Sequence, residues 1–425
     1  MIWWLHKKIN AGALQYTLFI AVLIAILLGS FLTLTYVQSQ FKIQTDFRVQ
    51  SIKNASIGFD YVSYKEIALD QDTEVVLDKT IDSKLVLNKK YWGIFEILTV
   101  ASSVKNAPFY KMGLLGGYLK DKPALYLKEN NSALVLVGNT KIEGTAFLPK
   151  KQVKRGNIAG HSYYGNELIY GQELSSTETL PEITNKKHLE LLSKGLTGNS
   201  NTVPLELVEG MNEINSFGLP TKEYKTIHIL ELHHLELTGN YRIQSDSIIK
   251  IYSTAYLKDV LLIAPHIEIL DNVSGNFQAI ASKSILVGKD CRLDYPTALV
   301  VYEKKQETSK KKTQSKIINQ LTINSNTSIK GVVAFLSENT SSNYNPQIRI
   351  EENTLVYGEV YCEKNLALKG TVLGSVYTDA FIAKQYGSVY QNHIYNGQIL
   401  NSKLPPEYIG LQFKNTTLKV SKWLY

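Results

Sequence analysis

The sequence predicts a mainly β protein: an elongated β-solenoid or β-helix-like domain behind one N-terminal transmembrane α-helix. Three observations predict it. An uncharged apolar run lies near the N-terminus, short segments beyond it alternate apolar and polar residues with a period near two, and a Gly-x-Val unit recurs near the C-terminus. The chain has 425 residues, more than one compact core usually takes, so an anchor plus one long or two smaller units is expected. Hydrophobic content of 44% and charged content of 20% fit a folded chain. The 26 tyrosines, with Ile, Val and Thr, suit pleated surfaces.

No charged residue stands between Lys8 and Lys42. Within that interval Ala13–Val37 exceeds the roughly 20 apolar residues that span a bilayer. Backbone amides in hydrocarbon must be paired within the segment, so it must be helical there. His6, Lys7 and Lys8 precede it, and basic flanks stay cytoplasmic, which places the C-terminal bulk outside. Trp3, Trp4 and Tyr36 suit the two interfaces. A secretory signal, the competing reading, normally has an apolar region of about 7–15 residues, shorter than this one. A single pass is expected, with residues 1–12 as a basic cytoplasmic leader and 13–37 as the span. Val37, Phe41, Ile43, Phe47, Val49, Ile52 and Ile57 recur at steps of two to five, which predicts a juxtamembrane amphipathic helix over 38–63.

A basic leader ending in Gly12, an uncharged apolar helix with small residues and an amphipathic extension together resemble the N-terminus of type IV pilin-like proteins. The likeness is to the minor pilins and pseudopilins of pili and secretion machines, and it ends with this helix. It implies peptidase cleavage between Gly12 and Ala13, and bundling of the helices in a filament core. It also implies a bacterial inner (cytoplasmic) membrane location, with the C-terminal domain periplasmic or surface-exposed. The family carries Glu five residues after the cut; here that position is Thr17. An ordinary signal anchor is the alternative.

Residues 64–223 read as an irregular β-rich domain, with short strands near Thr73, Lys84, Ala124 and Ala133. A helical insertion is expected over Glu178–Leu196, started by Pro181 and given an apolar side by Leu189, Leu191, Leu192 and Leu196. Residues 224–425 read as the solenoid-like domain, interrupted by a Lys-rich loop at 303–316. Its strands begin near Thr226, Ser247, Val260, Ile267, Gln278, Ser284, Ala298, Gln320, Val332 and Ile348. Many short strands without helices between them mean a sandwich, a barrel or a solenoid.

The C-terminal part decides between these. Gly-x-Val recurs at Gly358/Val360, Gly370/Val372 and Gly374/Val376, and a related glycine is Gly331. Coils would place Val, Leu and Ala inward and Gly331, Gly358, Gly370 and Gly374 at corners. With Leu368 two residues ahead of Gly370, this rhythm resembles that of bactofilins, polymer-forming β-helical scaffold proteins. The resemblance implies coil architecture. The tail Lys414–Tyr425 is expected to add a last strand that caps the coils.

The formal charge of +8 is concentrated in Lys304–Lys316, so no nucleic-acid partner is expected. Cys291 and Cys362 read as two small buried hydrophobes, or as a disulfide if they meet in space. His228, Glu231, His233 and His234 form the densest cluster of metal-ligating types. On one strand, His228 and His234 would share a face about 20 Å apart, too far for one ion, so no metal site is expected. Asp259, Asp271, Asp290 and Asp294 stand singly at expected corners, where Asp caps turns. No Gly-x-Ser-x-Gly, phosphate loop or HExxH motif is present. No catalytic residue, cofactor or enzymatic activity is therefore expected. The functional expectation is a membrane-anchored extracytoplasmic structural or assembly protein, a pilin-like minor subunit of a filament or secretion apparatus. Its partners would be the lipid bilayer and protein, through the transmembrane helix and the solenoid. The alternatives are a tethered polymer-forming scaffold and a polysaccharide-binding or polysaccharide-cleaving β-helix.

Overall fold

The computed structural model describes residues 12–77, 82–196, 202–305, 319–339 and 343–425; most of the Lys-rich loop and the leader before Gly12 lie outside them. The described residues are mainly β. One long helix, α1 (Gly12–Tyr64, 53 residues), opens the chain, and a short one, α2 (Lys186–Ser193), stands among the strands. The chain divides into two compact units. The first comprises Met1–Gly58, Thr73–Leu87 and Val100–Lys111, and the second Phe59–Asp72, Asn88–Thr99 and Met112–Tyr425.

Four strands follow α1: β1 (Asp72–Val75), β2 (Ser83–Trp92), β3 (Phe95–Val104) and β4 (Ala107–Tyr118). They lie side by side in chain order. In the first unit, the helix face that is buried carries Ser51, Asn54, Ala55 and Gly58, at helical spacing. Phe41, Ile43, Val49, Ile52 and Ile57 stay exposed. Helix continues through 38–63, where Phe59 and Val62 are buried as well. Gly58 permits close approach: a Cβ there would meet Val100 Cγ1 at 2.8 Å and Leu87 Cδ2 at 2.9 Å. Ser51 Oγ donates to the Ala107 carbonyl at 2.7 Å and accepts the Val104 amide at 3.0 Å. Ser51→Ala would leave both backbone groups unpaired. A loss of about 2–3 kcal/mol is expected, readable in the urea midpoint of the chain in detergent.

The second unit is built on parallel strands in a closed arrangement. The longest are Ala255–Ile269, Ser274–Val287, Arg292–Glu303, Ser328–Ser337, Leu355–Leu368 and Thr371–Gln385. Each pairs in parallel with the next of them, so that like positions align. One column runs Ile243, Leu262, Ala279, Leu299, Val333, Val360, Val376. A second runs Ile249, Ile267, Ile285, Leu321, Ile348, Leu366, Phe381. A third contains Leu293, Ile329, Val356, Val372 and Ile399. All three columns are buried in one apolar core. Left-handed backbone at Asn272, Asp290, Asn326 and Asn353 turns the chain between sides, a conformation that Asn and Asp tolerate.

The stack does not follow chain order throughout. Val376 pairs with Leu125, Leu125 with Ala146, and Ala146 with Glu173, all in parallel. Residues 125–175 thus continue the ladder beyond strand Thr371–Gln385.

A second apolar layer covers the outer side of the stack. Leu189 and Leu192 of α2, with Leu411 and Phe413, belong to the same cluster as Val300, Ala334, Tyr361 and Tyr377. The helix begins at Lys186 rather than near Pro181, and Leu191 and Leu196 remain exposed. The tail forms the expected strand, Thr417–Trp423, but in a different place. It pairs antiparallel with β4, Thr417 opposite Tyr118 and Trp423 opposite Gly113, and so extends the N-terminal sheet instead of capping the coils. Cys291 and Cys362 are both buried and unpaired. Burial pushes both thiols above their ordinary range.

Candidate functional site

Three features carry chemistry: the apolar helix, the buried fastening of the C-terminal segment onto the stack, and the polar corners.

Helix α1 is long and apolar enough to cross a membrane, and none of its most apolar window is buried. Leu14, Phe19, Ile26, Phe31 and Leu32 are among its exposed side chains. Three hydroxyls of the apolar stretch bond within the helix: Thr17 donates to Leu14 O at 2.9 Å, Ser30 to Ile26 O at 2.9 Å, and Thr33 to Gly29 O at 2.8 Å. Such bonding back to the helix's own carbonyls pairs these hydroxyls within the segment, as hydrocarbon requires. Gly12 and Ala13, where cleavage was anticipated, are the first described residues of this helix.

Of the four anticipated corner glycines, three come together. Gly331, Gly358 and Gly374 stand in one register, with positive φ of 143°, 143° and 158°. A Cβ at Gly358 would lie 2.0 Å from Gly331 O, and one at Gly374 1.9 Å from Gly358 O. Gly370 lies off this ladder; its amide donates to Ile350 O at 3.3 Å. The ladder anchors the C-terminal segment. Tyr408 Oη donates to Gly331 O at 2.8 Å, and the Leu411 amide donates to Glu359 Oε2 at 2.6 Å. Lys122 Nζ donates to Tyr408 O at 2.8 Å, and Tyr295 Oη to Ile409 O at 2.8 Å. Burial pushes the Glu359 carboxyl up to about 7, against the opposing pull of Lys122. No motif announced this role for Glu359; the only sequence signal is an acid directly after a ladder glycine.

The acids singled out from sequence do not converge. Asp259 binds Lys422 Nζ at 2.6 Å and Tyr425 Oη at 3.2 Å, Asp294 binds Lys330 at 2.8 Å, and Asp271 accepts the Lys289 amide at 2.7 Å. The acids that do meet are elsewhere, in a groove of about 500 Å³ lined in part by Lys128, Lys186, Tyr361, Glu363 and Asp379. Its charges are paired: Lys128 with Asp379 at 3.1 Å, Lys186 with Glu363 at 2.7 Å. Burial pushes Asp379 up, and Lys128 opposes it.

The histidine reading is also corrected. The strand there is only Leu230–Leu232, and His233 and His234 fall in the corner after it. His234 takes a φ of 46°. His233 Nδ1 and His234 Nδ1 lie 3.4 Å apart, and Glu209 Oε1, one winding earlier, lies 3.1 Å from His234 Nδ1.

Together these features define a mainly β protein on a single N-terminal helix capable of spanning a membrane. No family model matches the chain, and no curated protein matches it. Among solved structures, it aligns with the crystal structure of the competence-associated pilin ComZ from Thermus thermophilus at 10% identity and a TM-score of 0.21, over 84% of this chain and 86% of that one. A likeness of that size carries no argument here.

Proposed function

We propose that this chain is a non-catalytic structural or assembly subunit, anchored in the bacterial inner membrane by α1 and presenting a β-solenoid outside the cytoplasm. The observation that supports it most is α1 itself. It runs unbroken for 53 residues, its apolar half fully exposed and the Thr17 and Ser30 hydroxyls bonded within it. At about 1.5 Å per residue such a helix is longer than the bilayer is thick. The three stacked columns and the glycine ladder support the solenoid reading. A leader ending at Gly12 before an uncharged helix supports a pilin-like mode of assembly, helix against helix.

Two measurements test this. In alkaline extraction of host membranes, the wild-type chain is expected to stay in the pellet. Ile24→Arg/Leu27→Arg is expected to shift it to the supernatant, because each Arg at a span's centre costs about 3 kcal/mol. A wild-type chain that is itself extracted would defeat the anchor. Mass spectrometry of the mature N-terminus tests the pilin-like part. A start at Ala13 supports it, a start at Met1 or Ile2 leaves a plain signal anchor, and a start beyond Val37 removes the anchor altogether.

A further inference from the structure

We infer that the corner formed by Glu209, His233 and His234 is a binding site for a divalent transition metal of the zinc, nickel and copper class. The argument is one of geometry and proton count. One ligand atom from each of the three residues lies within 4.8 Å of the other two. The two measured separations, 3.1 and 3.4 Å, match those between ligands held about 2.0–2.2 Å from one ion.

Hydrogen bonding alone does not account for the arrangement. An imidazole Nδ1 carries at most one proton. His234 Nδ1 faces a carboxylate oxygen on one side and His233 Nδ1 on the other. If it donates to Glu209, it has no second proton and no lone pair for His233. If it accepts from His233, it turns a lone pair toward the carboxylate. A cation at the centre of the three atoms satisfies all of them at once.

The fold holds the donors in place. The Gly210 amide donates to His234 O at 2.7 Å, locking the Glu209 corner onto the histidine corner. The His234 amide donates to Thr254 Oγ1 at 3.1 Å, tying that corner to the next winding. The His233 ring stands edge-on to Tyr252, with centroids 6.0 Å apart. Glu209 also borders an open cleft of about 490 Å³ that gives solvent access for the remaining coordination positions. Two imidazoles and one carboxylate favour borderline metals over calcium or magnesium, which prefer all-oxygen sets. Because Glu209 and the histidines belong to successive windings, the ion would clamp them together.

The test is titration of untagged full-length chain in detergent with zinc chloride, followed by calorimetry and by thermal melting. Saturable one-to-one binding is expected, with a melting temperature that rises with zinc. His233→Ala/His234→Ala and Glu209→Gln are expected to weaken binding by about tenfold or more and to abolish the thermal shift. His228→Ala is expected to change neither. Cobalt substitution gives an independent readout, a visible ligand-field band present in the wild type and absent in the double variant. Absence of saturable binding, or equal binding by the double variant, would overturn the proposal.

Discussion

Gly374→Val will unfold the parallel stack. The residue sits at φ 158°, at the edge of the region that L side chains rarely adopt, and a Cβ there would lie 1.9 Å from Gly358 O and 2.8 Å from Gly358 C. Those atoms are backbone of the neighbouring strand, so no side chain can swing aside to make room. Strands in a ladder stand about 4.8 Å apart, and the clash is relieved only by parting the two windings. Gly358 is itself clamped against Gly331 on its other side, so the disturbance is passed along the register. A loss of at least about 4 kcal/mol is expected, near the whole stability of many domains. Gly387→Asn is the control. Its φ of 77° is also left-handed, but nothing lies within 4 Å of the added Cβ, and Asn tolerates that conformation. Circular dichroism and urea unfolding should show an intact β signal for the control and its loss for Gly374→Val.

The second large effect is a pH dependence set by Glu359. Its carboxyl is raised from 4.5 to about 7 by burial, with Lys122 and the Leu411 amide pulling the other way. Between those two values the folded chain holds a proton that the unfolded chain has released. Stability from this group is therefore complete below pH 4.5, falls as pH rises to about 7, and is flat above. The span corresponds to about 3 kcal/mol. His188 acts in the opposite sense: burial lowers it to about 4, so its contribution is lost as pH falls below 6.5. The informative comparison is accordingly between wild type and Glu359→Gln across pH. Relative to the Gln variant, the wild type should be about 3 kcal/mol more stable at pH 4.5 than at pH 8. An unchanging difference in urea midpoints would show that Glu359 does not titrate in this range.

Much of this could be read in advance, for reasons that are local. A bilayer span is a matter of length and charge, both written in Ala13–Val37. Inward-facing Val and Leu alternate with a period of two because a pleat imposes it, so the strands near Val332 and Leu355 were visible as pattern. Gly331, Gly358 and Gly374 stood out by repetition of a residue that accepts such crowding; they lie within strands Ser328–Ser337, Leu355–Leu368 and Thr371–Gln385 and share one register. Gly370, identical in its local motif, lies between strands Leu355–Leu368 and Thr371–Gln385 and off that register; a Gly-x-Val triplet does not record which strand lies beside it.

What the sequence alone determined, then, is what depends on near neighbours: the apolar helix and the β character. Only the tertiary structure decided the pairings of distant segments. It placed residues 125–175 after strand Thr371–Gln385, and the tail Thr417–Trp423 beside β4. It also buried Ser51, Asn54, Ala55 and Gly58 of α1, and brought Glu209 to His233 and His234. The physical reason is common to all of these. A strand edge or a helix face specifies a shape and a polarity for its partner but not its position in the chain. That choice is made by which distant surface excludes water and satisfies backbone groups at the same time.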